Sequence, residues 1–297
     1  MTPSVKPCWR LGEVRMKRSE GVMLPARRFP FLFRRLIALS VQGYIPPIHR
    51  HWLFRSMAAE LFEEEGIPIW RSPYKLHIPQ DLMDISLNYV NYLDYEPMTR
   101  RVFLKSLSQG SVVIDVGAHI GYYTLLAAGA VGPSGKVHAV ECAPHNLRVL
   151  ESNVEKNKLL NVQINPYAAA SVRGNQNLNV SFVGLAGFSP RPHWPTVPGS
   201  GTTMNVPAVP LDEVIPSPVH LVKIDVDGFD LDVLKGMERI LFENKRLSVI
   251  VEWAPVMLSE DGRDPLELPT WLEDAGLRQI TVLDQYYRRR RSLKETK

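Results

Sequence analysis

The stretch at residues 111–121, Ser-Val-Val-Ile-Asp-Val-Gly-Ala-His-Ile-Gly, constrains the fold most. Its β-branched run reads as a buried strand. The run ends at Asp115 and passes through Gly117 and Gly121 into a helical stretch from Tyr122 to Ala130. A strand that turns through glycines into a helix belongs to a parallel, doubly wound sheet, and its turn points backbone N–H groups beyond the sheet edge. Glycine permits the tight bend and a close approach to the backbone.

The rest of the core repeats this alternation. Strands are expected at 136–141, 161–165, 219–225 and 247–252, and helices at 120–131, 144–158, 229–243 and 264–275. A final strand is expected at 277–283. Such alternation predicts an α/β fold with a mostly parallel sheet. Residues 169–184 read as a hairpin bending at Gly174-Asn175. Residues 185–205, rich in Pro and Gly and without period, read as a lid over a binding site. Before the core, residues 31–42 and 49–66 look helical, and 67–79, with Pro68, Pro73 and Pro79, suit short edge strands. Pro97 opens a helix that runs to Leu107. The expected organisation is a basic lead-in at 1–28, a helical and edge-strand extension at 29–94, the α/β domain at 95–287 and a basic tail at 288–297.

Charge is unevenly placed along this plan. Residues 1–56 hold eleven Lys/Arg against two Glu, a local charge of +9. Residues 288–297 hold six against one, +5, which leaves −10 on the remainder of a chain whose net charge is +4. An acidic body argues against a groove for duplex nucleic acid, while basic ends suit contact with an anionic surface. The stretch 31–42, with Arg34 beside Arg35, is either a helix lying on lipid or one packed on its own domain; packing is the commoner fate. No run reaches the ~20 apolar residues of a membrane span. The first 28 residues lack the apolar centre of a secretory leader, and Cys8 and Cys142 form no disulfide framework. A cytoplasmic protein, with peripheral membrane contact through its basic N-terminal region, is the expectation.

The chemistry is carried by acids at the predicted strand ends. Asp115 stands where a dinucleotide fold places its first glycine, against the pyrophosphate. A carboxylate there repels pyrophosphate, which disfavours a nicotinamide dehydrogenase, and suits a cationic ligand such as S-adenosylmethionine, with its ammonium and sulfonium. Glu141 follows Gly121 by 20 residues, the offset at which a carboxylate meets ribose hydroxyls. Asp225 ends the predicted strand at 219–225 and faces the same crevice, with Asp227 and Asp230 just beyond it. Helix capping explains one of these acids but not all three around Gly228. Asp225, Asp227, Asp230 and Glu252 are hard oxygen ligands, but their spacing fixes no metal site, so Mg²⁺ is left unassigned.

The Asp115-Val-Gly-Ala-His-Ile-Gly turn, the Glu141-x-x-Pro144-x-Asn146 segment, Leu211-Asp212-Glu213 and the run from Lys223 to Asp230 together resemble the FkbM family of S-adenosylmethionine-dependent methyltransferases, over about residues 90–253. The chain departs from the family at His119 (usually Asn), Cys142 (usually Pro), and Asp227 and Asp230 (usually Glu). The resemblance implies a class I, Rossmann-like fold and methyl transfer to a hydroxyl of a sugar, glycolipid or natural product. It implies that Asp115, Gly117, Ala118, His119 and Gly121 form the turn at the methionine end, that Glu141 holds the ribose and that Asn146 lies near the adenine. It places Asp225 beside the transferred methyl. Asp225, Asp227 and His193, from the 185–205 loop, are the candidates for a base. The rival readings are a methyltransferase acting on RNA or protein, and a silent binding module held at a membrane.

Overall fold

The computed structural model of the chain describes residues 61–79, 96–180, 188–189, 202–260, 262–277, 281–284 and 289–292, together with Leu36. The remaining parts of the extension and the 185–205 loop, with His193 and Trp194, lie outside the described residues.

In chain order the strands are β1 (Ile67–Pro68), β2 (Lys75–Leu76), β3 (Val112–Val116), β4 (Lys136–Val140), β5 (Val162–Asn165), β6 (Ala168–Ala169), β7 (Gly174–Val180), β8 (Phe188–Ser189), β9 (Thr202–Val209), β10 (Leu221–Ile224), β11 (Ser248–Val251), β12 (Thr281–Asp284) and β13 (Arg289–Ser292). The helices are α1 (Pro97–Lys105), α2 (Tyr122–Val131), α3 (Pro144–Lys156), α4 (Leu211–Val214), α5 (Asp230–Lys235), α6 (Glu238–Glu243), α7 (Pro255–Glu260) and α8 (Glu267–Asp274).

The central sheet has five parallel strands in the order β11-β10-β3-β4-β5. Strand order therefore reverses between β3 and β10, and the space beyond the carboxyl ends of the strands at such a point is where ligands of these sheets bind. Parity along the strands assigns the two faces. Val113 and Leu221 join an apolar cluster with α2 residues Leu125 and Leu126 and with Val149 of α3. Ile114, Val116, Val222 and Ile224 join the opposite cluster with Leu231, Leu234 and Ile240 of α5 and α6 and Leu268 of α8. Helices cover both faces, which is the doubly wound, Rossmann-like class I architecture.

The segment before the core joins the α2 face: Ile69, Leu76 and Ile78 are buried in its cluster. Asn153 of α3 clamps it, accepting from the His77 N–H at 2.7 Å while donating to the His77 carbonyl at 3.0 Å and to the Ile120 carbonyl at 2.9 Å. β1 and β2 pair antiparallel with each other, outside the main sheet.

Three local expectations are corrected. Gly174-Asn175 is no hairpin bend: it begins β7, and β6 and β7 do not pair with each other but lie on either side of β9, the first parallel to it and the second antiparallel. β9 reaches back to Thr202 and β8 covers 188–189, so the stretch expected as an aperiodic loop at 185–205 contains strand at both places. The helix expected at 229–243 is two, because Asp212 intervenes. Its carboxylate accepts the N–H groups of Arg239 at 2.7 Å and Ile240 at 3.0 Å, capping a fresh helix start. The strand expected at 277–283 is β12, which pairs antiparallel with β13 in a separate sheet. Arg289–Ser292 of the basic tail thus forms β13.

Candidate functional site

Asp115, Lys223 and Asp225 come together at the point where strand order reverses. Asp115 and Lys223 are register partners on β3 and β10, so their side chains leave the same face of the sheet. Both are buried, at 1% and 4% exposure. Thr124, from the first turn of α2, donates to Asp115 Oδ2 at 2.6 Å. Asp115 Oδ1 is buried and has no partner among the described residues. Lys223 Nζ donates to Asp225 Oδ2 at 2.7 Å and lies 4.6 Å from the centre of the Tyr123 ring, whose hydroxyl donates to Glu96 Oε2 at 2.7 Å. A cation–π contact of this kind adds to the ion pair in a desolvated setting.

The protonation states follow from these partners. Burial pushes the Asp115 carboxyl upward, against the pull of Lys223 and the Thr124 hydrogen bond. Burial would raise Asp225 as well, but the Lys223 ammonium, together with Glu252 and His119, holds Asp225 below the ordinary carboxylate range. Burial would lower Lys223, yet Asp225, Asp115 and Glu96 together hold it above the ordinary lysine value. Burial pushes Asp230 up to about 7, with Asp225 adding to the shift.

The β3–α2 turn is tighter than its sequence suggested. The N–H groups of Gly117 and Ala118 both donate to the Val140 carbonyl, at 2.9 and 3.0 Å, and that of Gly121 donates to the Ala118 carbonyl at 2.9 Å. His119, at φ 53°, gives its N–H to Glu141 Oε2 at 2.8 Å. Turn amides engaged in this way form no phosphate cradle, which agrees with Asp115 at its mouth. Gly117 is required by the protein itself: at φ 75° a Cβ would stand 2.0 Å from the carbonyl oxygen of Asp225. Gly121, at φ 100°, would press a Cβ to 2.8 Å from Leu150 Cδ1.

Glu141 ends β4 as expected and is buried. Its Oε1 accepts from the N–H groups of Cys142 at 3.0 Å and Ala143 at 2.8 Å, and from Asn146 Nδ2 at 3.4 Å. Asn146 thus reaches Glu141, and its Oδ1 is buried without a partner among the described residues. Burial raises Glu141, opposed by these donors. Asp227 is half-buried in a left-handed conformation, φ 50°. Asp230 turns back on the loop before it, accepting from Val226 at 3.4 Å and Gly228 at 3.1 Å.

Sequence reasoning missed Thr124, Tyr123 and Glu96 as partners of the acid cluster, because a register and a helix docking bring them there. Among the described residues, no group of three His, Cys, Asp or Glu is arranged to hold a metal ion. The strand ends fit a cation-bearing cofactor: carboxylates cluster there, and one buried carboxylate oxygen, Asp115 Oδ1, has no partner among the described residues.

The sequence profile described as "Methyltransferase FkbM domain" matches residues 115–278, more than half of the chain. The chain is 38% identical over 96 residues to a protein of Sulfolobus acidocaldarius named as probable cobalt-precorrin-6B C(15)-methyltransferase (decarboxylating), over 30% of this chain and 50% of that one. It is 36% identical over 61 residues to the protein-L-isoaspartate O-methyltransferase of Methanothrix thermoacetophila, over 20% of this chain and 29% of that one. The matches thus span half or less of these relatives. A crystal structure of an FkbM methyltransferase from Methylobacillus flagellatus aligns at 15% identity with a TM-score of 0.42, covering 75% of this chain and 52% of the other.

Proposed function

The chain belongs to the FkbM family of methyltransferases, whose cofactor is S-adenosylmethionine, and on that premise we propose that it methylates a hydroxyl of a small-molecule or glycan acceptor. When bound, the cofactor supplies an activated methyl group on a positively charged sulfur. The observation that carries the reading is the cluster of carboxylates at the reversal point, with the buried Asp115 Oδ1 unpartnered among the described residues and Asp225 paired with Lys223 at 2.7 Å. Asp115 meets the cationic methionine end. Glu141, at the end of the neighbouring strand, meets the ribose, with Asn146 steadying its carboxylate from the helix side. Asp225 is the proposed acceptor of the hydroxyl proton, a role that its one-third exposure, unlike that of Asp115, supports. Asp227 is the second candidate for that role.

Glu141→Gln keeps the size of the side chain but removes the charge. A charge-assisted hydrogen bond contributes about 1.5–3 kcal/mol, so S-adenosylmethionine should bind roughly tenfold or more weakly. An unchanged calorimetric titration would remove Glu141 from the cofactor site. Asp225→Asn should still fold and bind the cofactor, while methylation falls at least ~100-fold. Near-normal turnover would make Asp225 structural.

The acceptor class is tested by incubating the protein with methyl-labelled S-adenosylmethionine and separate panels of sugars, glycolipids, lipid extracts, RNA and protein. Label in a sugar, glycolipid or small molecule, at oxygen by mass fragmentation, supports the reading. Label confined to RNA or protein replaces it with the macromolecular alternative. Among the described residues no helix is long and apolar enough to cross a membrane. Binding to anionic vesicles that is lost on deleting residues 1–56 would establish the proposed peripheral contact.

A further inference from the structure

We propose that Arg263 determines acceptor specificity by holding one carboxylate or phosphate group that the acceptor carries besides the hydroxyl to be methylated. The proposal rests on the reading of Asp225 as the group that receives the hydroxyl proton. The observation behind it is a guanidinium fixed against the turn from Asp227 to Asp230. Arg263 Nη1 donates to the Gly228 carbonyl at 2.6 Å, and the guanidinium carbon lies 5.9 Å from the centre of the Phe229 ring. Among the described residues no carboxylate pairs with Arg263, and its Nε and Nη2 have no hydrogen-bond partner. The residue is half-buried, so these donors stay within reach of a ligand. The acids nearby are engaged elsewhere. Asp225 takes Lys223 at 2.7 Å, and Asp230 accepts from the Val226 and Gly228 N–H groups. Asp264 accepts from the Leu266 N–H at 2.8 Å, and Glu267 takes Lys235 at 3.4 Å.

The fold holds Arg263 in place without a ligand. Beyond α7, Gly262 at φ 70° gives its N–H to the Ser259 carbonyl at 3.0 Å, and the Arg263 N–H donates to the Leu258 carbonyl at 2.9 Å. Paired bonds of this kind, closed through a left-handed glycine, stop a helix and fix the residue that follows. The Pro265 carbonyl accepts from Trp253 Nε1 at 2.8 Å, which ties the same loop to the end of β11. With its backbone fixed on both sides and one nitrogen anchored on Gly228, the guanidinium loses little freedom when its other edge meets a ligand.

Its place suits the acceptor and not the cofactor. Asp115 and Glu141 put the cofactor beyond β3 and β4, which leaves the side of β10 and β11 for the acceptor. Gly228 follows Asp225 in one turn after β10, and Arg263 follows β11, so base and guanidinium border the same space. The planar fork of an arginine matches two oxygens of a carboxylate or phosphate. Asp227 and Asp230 lie in the turn that it grips, and Asp264 is next to it in the chain. A cation set among acids takes one anionic group and disfavours a polyanion, so an acidic sugar or other small acid fits better than nucleic acid.

The test offers matched acceptors with methyl-labelled S-adenosylmethionine: glucose with glucuronate and glucose phosphate, and glycerol with glycerate and glycerol phosphate. Label should favour the acidic members, and the preferred one identifies the anion. In Arg263→Met, kcat/KM for that acid should fall roughly tenfold or more, through KM, while calorimetric titration of S-adenosylmethionine stays unchanged. Binding is also read directly. The Nε–H NMR signal of Arg263, assigned by its absence in Arg263→Lys, should move when glucuronate or inorganic phosphate, but not glucose, is added to protein loaded with S-adenosylhomocysteine. A neutral member labelled as well as its acidic counterparts, an unchanged KM in Arg263→Met, or a signal that neither anion moves overturns the proposal and leaves the methyltransferase reading standing. A tenfold loss of S-adenosylmethionine affinity in Arg263→Met also overturns it, by placing the guanidinium on the cofactor. If no member is labelled or the Met variant does not fold, the wild-type signal decides alone. Folded wild-type protein that binds no S-adenosylmethionine overturns the functional reading beneath the proposal.

Discussion

Lys223→Met is expected to cost about 3 kcal/mol or more of stability, because removing one partner of a buried ion pair leaves the other charge uncompensated. Lys223 is 4% exposed and faces two acids, Asp225 at 2.7 Å and Asp115 across the register. Asp225 is one-third open to water, which screens its share, whereas Asp115 is sealed and already held upward by burial. Methionine fills the volume beside Tyr123 but supplies no charge. The loss has a definite pH dependence. Asp225 is held low when folded, so its pairing contributes fully above the unfolded carboxylate range, near 4, and fades as pH falls through its lower folded value. Without Lys223 both acids take up protons more readily, so the deficit should be largest near neutrality and shrink toward pH 4. Urea melts of both proteins at pH 7 and pH 4.5 check this. A deficit under about 1 kcal/mol at pH 7 would place the ammonium in the solvated, surface-pair class.

Gly117→Ala should be damaging at a site where only one carbon is added. The new Cβ would stand 2.0 Å from the Asp225 carbonyl oxygen, a backbone atom that cannot swing aside. The position also has φ 75°, and a side chain in the left-handed region costs about 1–2 kcal/mol. Overpacking adds about 1–3 kcal/mol, so a total near 2–5 kcal/mol is expected. The clash falls between the turn after β3 and the end of β10, so the variant should also lose cofactor affinity. Gly174→Ala is the matched control: its added Cβ meets nothing within 4 Å among the described residues. If thermal melts show the two alanine variants to be equally stable, the close approach at Gly117 is not what the glycine serves.

Much of the frame was legible because it is local. The β-branched run into Asp115 and Gly117 gave β3 and its turn, and Glu141 and Asp225 fell at the ends of β4 and β10. What escaped depends on distant partners. The apolar spacing through Leu231, Leu234, Met237 and Ile240 reads as one helix, and nothing in it shows that Asp212, from another segment, starts a second one at Glu238. β6 and β7 are close in sequence yet meet only through β9, which no short-range pattern encodes. The glycines of the β3–α2 turn were expected to admit a ligand, but Gly117 first admits the Asp225 carbonyl. Thr124 and Tyr123 gained their roles from register and from helix docking. The carboxylates themselves were visible, but the Lys223 ammonium set among them was not.

The central claim is that the acid-lined crevice where strand order reverses holds S-adenosylmethionine through Asp115. Calorimetric titration of S-adenosylmethionine into the full chain, and into Asp115→Asn, tests it most directly. The prediction is one site per chain in the wild type and a loss of roughly tenfold or more in affinity in the variant, because the buried Asp115 carboxylate supplies a charge-assisted contact. A folded wild-type protein that takes up no S-adenosylmethionine, or an Asp115→Asn variant that binds it as well as the wild type, would contradict the account.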